Sequence, residues 1–326
     1  RVYREEYKPL FDVAAESALA YVADRRLSVD GRFRHSILMH GPFILVSYAQ
    51  ARYGHPELFN TYLNLFEGCL DELTYNHVSI LAYAVSHVSI HRPTFWRGVM
   101  SEFARSGHSW DAYSLGLISG ACRRSWQKAR AEGFGSQAGD QIDLLLAAAR
   151  LLVGKAAEGP GLTFHEASDM VMALALLPHS APQGLRRDML QVACDTIKGE
   201  SQSFPPTYLA ASFYGLVALA LEGDLDVSCR EMVLSALQVL VLELGVKQAL
   251  CEQADIELIT YALFAAARSS HQLGEMDMRP VLLVQQREMV RKAGDFTAES
   301  LAHLGRLTSQ AAMLVSPEGH ALQEWF

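Results

Sequence analysis

Apolar residues recur three and four positions apart along this chain. Val78, Leu81, Ala82 and Val85 make one stripe; Met170, Ala173, Leu174 and Leu177 make a second; Leu258, Tyr261, Ala262 and Ala265 make a third. That spacing brings side chains to one face of an α-helix, so each set predicts an amphipathic helix. Period-two alternation, the mark of a half-buried strand, is scarce. Its best example is LSVDGRF, with Asp30-Gly31 as the turn, but arms of about three residues are too short for a stable sheet. It reads as a turn between two helices. His87-Val88-Ser89-Ile90 is also short and lies against a helical pattern. Gly and Pro fall between the periodic segments, at Gly41-Pro42, Pro56, Pro93, Gly159-Pro160-Gly161, Pro205-Pro206, Gly274, Pro280 and Gly294. This is the punctuation of many short helices.

The segments come in pairs that resemble one another. GPFILVSYAQARYGHPELFNTYLNLFEGCL, from Gly41, and LTYNHVSILAYAVSHVSIHRPTFWRGVMSEF, from Leu73, share a small-residue centre, Ser47-Tyr48-Ala49 and Ala82-Tyr83-Ala84. Each continues with a polar loop containing Pro, an aromatic soon after (Phe59; Phe95-Trp96), and a second amphipathic segment. Looser copies start at Ser109, Leu162, Phe204, Ala254 and Phe296. Helix pairs that bury their faces against neighbouring pairs are the mark of an α-solenoid. A non-repetitive bundle is the alternative. The recurring polar starts favour the repeat: Thr74-Tyr75-Asn76, Thr163-Phe164-His165 and Thr297-Ala298-Glu299 carry residues that accept hydrogen bonds from free N–H groups at a helix start. The expectation is an all-α chain, a solenoid of stacked antiparallel helix pairs of the ARM/HEAT-like kind. It forms one repeat domain over residues 1–326, with residues 1–40 as an N-terminal cap and a loop at 131–140.

Composition agrees with a packed chain. Half of the 326 residues are apolar, far from the make-up of a disordered protein. The strongest apolar run, Met232 to Leu244, is interrupted by Ser235, Gln238 and Glu243 and falls short of a membrane span of roughly 20 apolar residues. Apolar on nearly every side, it reads as an inner helix or one covered by a partner subunit. The five cysteines, Cys69, Cys122, Cys194, Cys229 and Cys251, are odd in number and widely spaced, which argues against a disulfide framework and Cys-x-x-Cys zinc sites, and for a reducing compartment. The chain starts at Arg1 without Met, which is compatible with a cleaved targeting peptide.

Charge is uneven. Residues 1–150 hold 16 Lys and Arg against 15 Asp and Glu, whereas residues 151–326 hold 12 against 21, a net of −9. Phosphate backbones are bound by cations, so any nucleic-acid contact is expected in the N-terminal half. Two basic clusters lie there: Arg25, Arg26, Arg32 and Arg34, and Arg123, Arg124, Lys128 and Arg130. They are candidates for contact with RNA or an acidic partner, although no aromatic stacking motif is interleaved with them in sequence.

Motifs for chemistry are few. His87 and His91 stand four apart on a predicted helix, a spacing that can grip a metal, but Val88 occupies the place of a zincin glutamate and no third ligand is signalled. A histidine near a helix C-terminus is instead favoured by the helix dipole. His35 and His40, five apart, fall on different faces. No Gly-x-Ser-x-Gly elbow occurs, and GFGSQAG at 133–139 lacks a preceding strand. Phosphate-binding glycine loops are absent from the sequence. The carboxylate pairs Asp71-Glu72, Asp224/Asp226 and Glu275/Asp277 sit at predicted helix ends or loops. The sequence therefore predicts no catalytic, cofactor or metal site.

HVSILAYAVSHVSIHRPTFW, and more loosely EASDMVMALALLPHS and IELITYALFAAARSS, are similar to the roughly 37-residue helical-hairpin (heptatricopeptide) repeats of FAST-kinase-like and RAP-domain proteins. The helical pattern up to Phe326 predicts no RAP-type α/β module within these residues. The resemblance implies a mitochondrial protein acting on organellar RNA or in assemblies that hold it, such as RNA-editing complexes or divergent mitoribosomes. The acidic balance is unusual for a direct RNA reader. The expectation is a non-catalytic scaffold that binds protein subunits, touches RNA if at all through the N-terminal clusters, and makes no membrane contact. A direct single-stranded RNA binder of the same fold is the alternative, and an all-α enzyme is a third.

Overall fold

The computed structural model describes residues 2–23, 31–51, 53–88, 90, 92–133, 139–159, 161–175, 177, 182–222, 225–269, 273 and 276–315. Among these residues every regular element is helical. In chain order they are α1 (Val2–Ala23), α2 (Gly31–Gln50), α3 (Pro56–Phe66), α4 (Tyr75–His87), α5 (Pro93–Ser106), α6 (Ala112–Ala131) and α7 (Gly139–Glu158). Then follow α8 (Phe164–Leu174), α9 (Gln183–Glu200), α10 (Pro206–Ala220), α11 (Val227–Lys247), α12 (Gln253–Arg268), α13 (Arg279–Arg291) and α14 (Ala298–Val315).

The chain divides into two compact units, residues 1–152 and 153–326, with the boundary inside α7. In the first, α4 packs between α2 and α6, while α3 packs on α1 and α2, and α5 on α4. In the second, α8, α10, α12 and α14 follow one another in a row, and α9, α11 and α13 form another; α8 also packs on α9, α10 on α11, and α12 on α13.

One local device recurs in both units. A helix ends, a three-residue 3-10 turn follows, then one apolar residue in extended conformation, then a helix cap. The turns are Leu70–Glu72, Gly107–Ser109, Ser201–Ser203, Gln248–Leu250 and Ala293–Asp295. The apolar residues after them are Leu73, Trp110, Phe204, Cys251 and Phe296, all buried. Each donates its backbone N–H to the carbonyl of the first turn residue, as Leu73 does to Leu70 (3.2 Å) and Trp110 to Gly107 (3.1 Å). The caps are Thr74 (His77 N–H to Oγ1, 3.3 Å), Asp111 (Ser114 N–H to Oδ1, 2.7 Å), a Glu252–Asp255 capping box, and Thr297 (Ser300 N–H to Oγ1, 3.2 Å). Thr163 and Glu166 make a further capping box ahead of α8, after the buried Leu162. Four residues past Thr74, Asp111, Thr163 and Glu252 stand Val78, Leu115, Ala167 and Ile256, all fully buried, whereas Leu301 past Thr297 is half-buried. An apolar residue before the cap and another at that position fix the angle at which the chain enters the helix.

Proline starts helices of both kinds: Pro205 and Pro206 open α10 after its 3-10 turn, and four others mark the alternate helices. Pro56 and Pro93 begin α3 and α5, Pro280 sits in the first turn of α13, and Pro182 immediately precedes α9. The first turn has spare N–H groups, so a residue lacking one costs little there. Small residues allow close approach: a Cβ at Gly215 would lie 2.7 Å from Val171 Cγ1 of α8.

Two expectations change. Gly41-Pro42 does not separate helices; both residues lie within α2. The apolar run from Met232 is not buried all round: α11 buries Val233, Ala236, Leu237, Leu240, Val241 and Leu244 but exposes Leu242 and Val246. Val227–Leu250 does reach the length and hydropathy of a membrane span, yet its buried side packs on α9, α10 and α13, as a core helix does.

Candidate interaction surface

Of the first basic cluster, Arg25 and Arg26 lie outside the described residues. Arg32 stands in the first turn of α2. Arg34 is exposed and ion-paired with Glu72 of the following 3-10 turn, so its charge is already shared.

The second cluster lies on α6 and meets the end of α4. Arg124 Nε donates to Ser86 Oγ (3.1 Å), and its guanidinium lies 5.0 Å from the centre of the Tyr83 ring. Tyr83 in turn lies against His87, with ring centres 4.1 Å apart and the planes tilted by 34°. One turn on, Lys128 lines a small recess with Val85, Ser86, Ile90 and Glu132. Burial, and then the Arg124 charge, lower the Lys128 pKa, while Glu132 opposes them. On the adjoining face Arg123 donates to Gln127 Oε1 (3.2 Å), and Arg130, exposed, lies 5.5 Å from the Trp126 ring centre.

This corrects the reading that aromatics are not interleaved with these charges. Trp126 sits within the cluster, and Tyr83 joins it from 41 positions earlier because α4 packs on α6. The Trp126 signal is visible in the sequence at the four-residue spacing to Arg130; the Tyr83 signal needs the helix pairing. Cations over aromatic faces are held electrostatically. Of the four basic groups, Arg130 is the one that presents its head most openly to solvent.

The other candidates do not converge. His87 Nδ1 lies 2.9 Å from the Tyr83 carbonyl at the end of α4; His91 lies outside the described residues. No group of three or more His, Cys, Asp or Glu suited to a metal occurs among the described residues. Asp71 belongs to a 3-10 turn. Asp226 caps α11 by accepting from Cys229 N–H (2.8 Å), and that bond holds its carboxyl below the usual range. Asp277 pairs with Arg279 at 2.7 Å. Asp224, Glu275 and the loop residues 134–138 lie outside the described residues. All five cysteines are buried free thiols; burial pushes Cys194 and Cys251 up to about 12, which disfavours the reactive thiolate.

Among the described residues there are two larger hollows. One, of about 290 Å³, is lined by Val22, Ile37, Leu38, Leu65 and Cys69 with Arg34 at its edge. The other, of about 150 Å³, lies in the second unit among Leu174, Leu190, Leu219 and Cys229, beside the Arg186–Glu222 ion pair (2.6 Å). Arg187 and Asp226 also line the second hollow, where burial and then the bond to the Asp226 carboxylate raise the Cys229 thiol pKa, which disfavours the reactive thiolate.

Set against known proteins, the chain matches no family model, and no curated protein matches it in sequence.

Proposed function

We propose that this chain is a non-catalytic helical-repeat scaffold subunit of a mitochondrial RNA-handling assembly, either an editing or processing complex or a mitoribosome. Its helix pairs would stack as an ARM/HEAT-like solenoid and bind other protein subunits along their outer faces. The observation that supports the scaffold reading is the recurring turn–apolar–cap device, which repeats one local unit in both halves. The compartment and the RNA-handling context come from the repeat resemblance. Native-source extract sedimented before and after nuclease treatment tests this reading. The chain is expected in a large assembly whose size falls on nuclease treatment; sedimentation as a free 36.0 kDa chain would refute it.

A second reading is direct binding of single-stranded RNA. The pairing of Arg130 with Trp126 and of Arg124 with Tyr83 favours it, because bases stack on aromatic faces while cations hold phosphates. Charge reversal at Arg123, Arg124, Lys128 and Arg130 is then expected to abolish a salt-sensitive affinity for oligonucleotide. Absence of affinity at low salt rejects it.

A further inference from the structure

We propose that the outward faces of α11 and α13 form a docking groove for an amphipathic helix of another protein, one that carries carboxylates beside its apolar ridge. The proposal rests on the scaffold reading and names the partner chemistry of one face.

The last turns of α11 direct Leu242 and Val246 outward, and Leu250 follows in the next 3-10 turn; they are 69%, 80% and 71% exposed. On α13 the outward residues Leu283 and Val290 are 63% and 79% exposed. In the same row, α9 exposes Asp188, Gln191, Asp195 and Lys198, so an outward position in this row does not require an aliphatic side chain. The two helices pack on each other: the buried Gln248 Nε2 donates to Gln285 Oε1 beneath the surface, and at the surface Arg291, next to Val290, donates to the Ala249 carbonyl (2.6 Å), next to Leu250, which brings the ends of the two stripes together. Contiguous aliphatic surface is stabilised by being covered, and two neighbouring helices leave between them a groove shaped for a third.

Charge selects the occupant. Arg287 stands in the α13 stripe, four residues after Leu283 and three before Val290, exposed and with no hydrogen bond or ion pair among the described residues. Its neighbours are engaged: Arg279 pairs with Asp277, and Arg291 with Glu288. The unspent charge within the stripe is therefore positive. A copy of the same face would bring a second unpaired Arg287 and no free carboxylate from its own stripe. A helix with carboxylates flanking its ridge supplies the missing partner.

The test uses the full chain and two synthetic peptides with one leucine ridge at helical spacing, flanked by Glu in one and by Lys in the other, read by fluorescence anisotropy. The Glu peptide is expected to bind at least about tenfold tighter. Leu242→Asp with Val246→Asp should abolish that binding, and Arg287→Glu should reverse the preference, with circular dichroism confirming that each variant is folded. Equal binding of both peptides, or none, overturns the proposal. So does concentration-dependent self-association lost in the double variant, which assigns the face to a second copy. Binding to vesicles of phosphatidylcholine and phosphatidylserine, lost in the same variant, would assign it to a lipid surface and overturn the proposal too. The sedimentation experiment on native extract reads the scaffold proposal separately, so either can fail while the other stands.

Discussion

The helices α5 and α13, one in each unit, are built alike inside and differently outside. Both carry a proline in the first turn and end in Glu-x-x-Arg. In α5, the buried Glu102 accepts from Arg105 (2.6 Å), which also reaches the Asp71 carbonyl (3.3 Å) in the preceding 3-10 turn. In α13, the buried Glu288 accepts from Arg291 (2.5 Å), which reaches Ala249 in the corresponding turn. With the two arginines aligned, Phe95, Trp96, Val99 and Phe103 fall on Val281, Leu282, Gln285 and Met289, and all eight are buried. The outward residues Arg97, Ser101 and Ala104 fall on Leu283, Arg287 and Val290. The same inner pattern and latch thus support either exterior. The aliphatic exterior of α13 is not demanded by the fold, which makes it informative about use.

If the inner faces are equivalent, emptying them should cost both units heavily. Trp96→Ala is expected to lose about 3–5 kcal/mol and Leu282→Ala about 2–5 kcal/mol, from lost burial and the cavity left behind. Urea unfolding followed by circular dichroism checks this. A loss below about 1 kcal/mol at either site would mean that its inner face does not hold its unit together.

The latches should be weaker and matched. Each arginine head is more than half exposed, 60% for Arg105 and 54% for Arg291, so water screens the pair, while the glutamates are buried. Glu102→Ala and Glu288→Ala are each expected to cost about 1–2 kcal/mol by the same unfolding measurement. A cost at one site and none at the other would break the structural equivalence of the helices.

Acid should separate the starts of α4 and α12 at a finer level. Three residues past their caps, α4 carries His77 and α12 carries Asp255, both buried. Burial, then the nearby His40, lower the His77 pKa below 6.5. As pH falls through that region the unfolded chain takes up a proton that the folded one resists, and stability is lost. Burial raises Asp255 above 3.8, against bonds from the Glu252 N–H (2.8 Å) and the Thr207 hydroxyl (3.2 Å). Its contribution has the opposite sense: it is present in full below 3.8 and lost as pH rises through the folded value. His77→Gln should therefore reduce the fall in melting temperature between about pH 7 and pH 5.5. His165, whose pKa is also lowered by burial, keeps part of that fall in the variant. An unchanged pH profile would remove His77 as a source of acid sensitivity.

What could be read from the sequence follows the range of each interaction. Thr74, Thr163 and Thr297 declare helix starts because a cap bonds a backbone N–H a few residues away. Pro56 and Pro93 declare the second helix of each early pair for the same local reason. Asp111 and Glu252 cap as well, but the 3-10 turns that precede them are set by backbone bonds that leave little mark on residue type. Gly41-Pro42 misleads because the packing of α2 on α3 and α4 overrides a local breaker. The α6 cluster is legible as charge, whereas its Tyr83 partner depends on a helix pairing across 41 positions. In α11, Glu231, Ser235 and Gln238 mark the exposed stripe at helical spacing, but Leu242 and Val246 continue it with aliphatic residues that by type alone read as core.

The gentlest change sharpens the comparison most. Leu283→Arg, Arg287→Ser and Val290→Ala together give α13 the outward residues of α5 and leave Val281, Leu282, Gln285, Glu288 and Met289 in place. Surface changes of this kind are expected to alter stability by no more than about 0.5 kcal/mol, read as an unfolding midpoint within error of the parent chain. Retention of the native assembly would show that this exterior is dispensable for partners. Loss of the assembly with the fold intact would assign the difference between α5 and α13 to recognition, because the substituted side chains face away from their own unit. A large loss of stability would show instead that the exposed aliphatics support the fold, and the equivalence of the two helices would end at their inner faces.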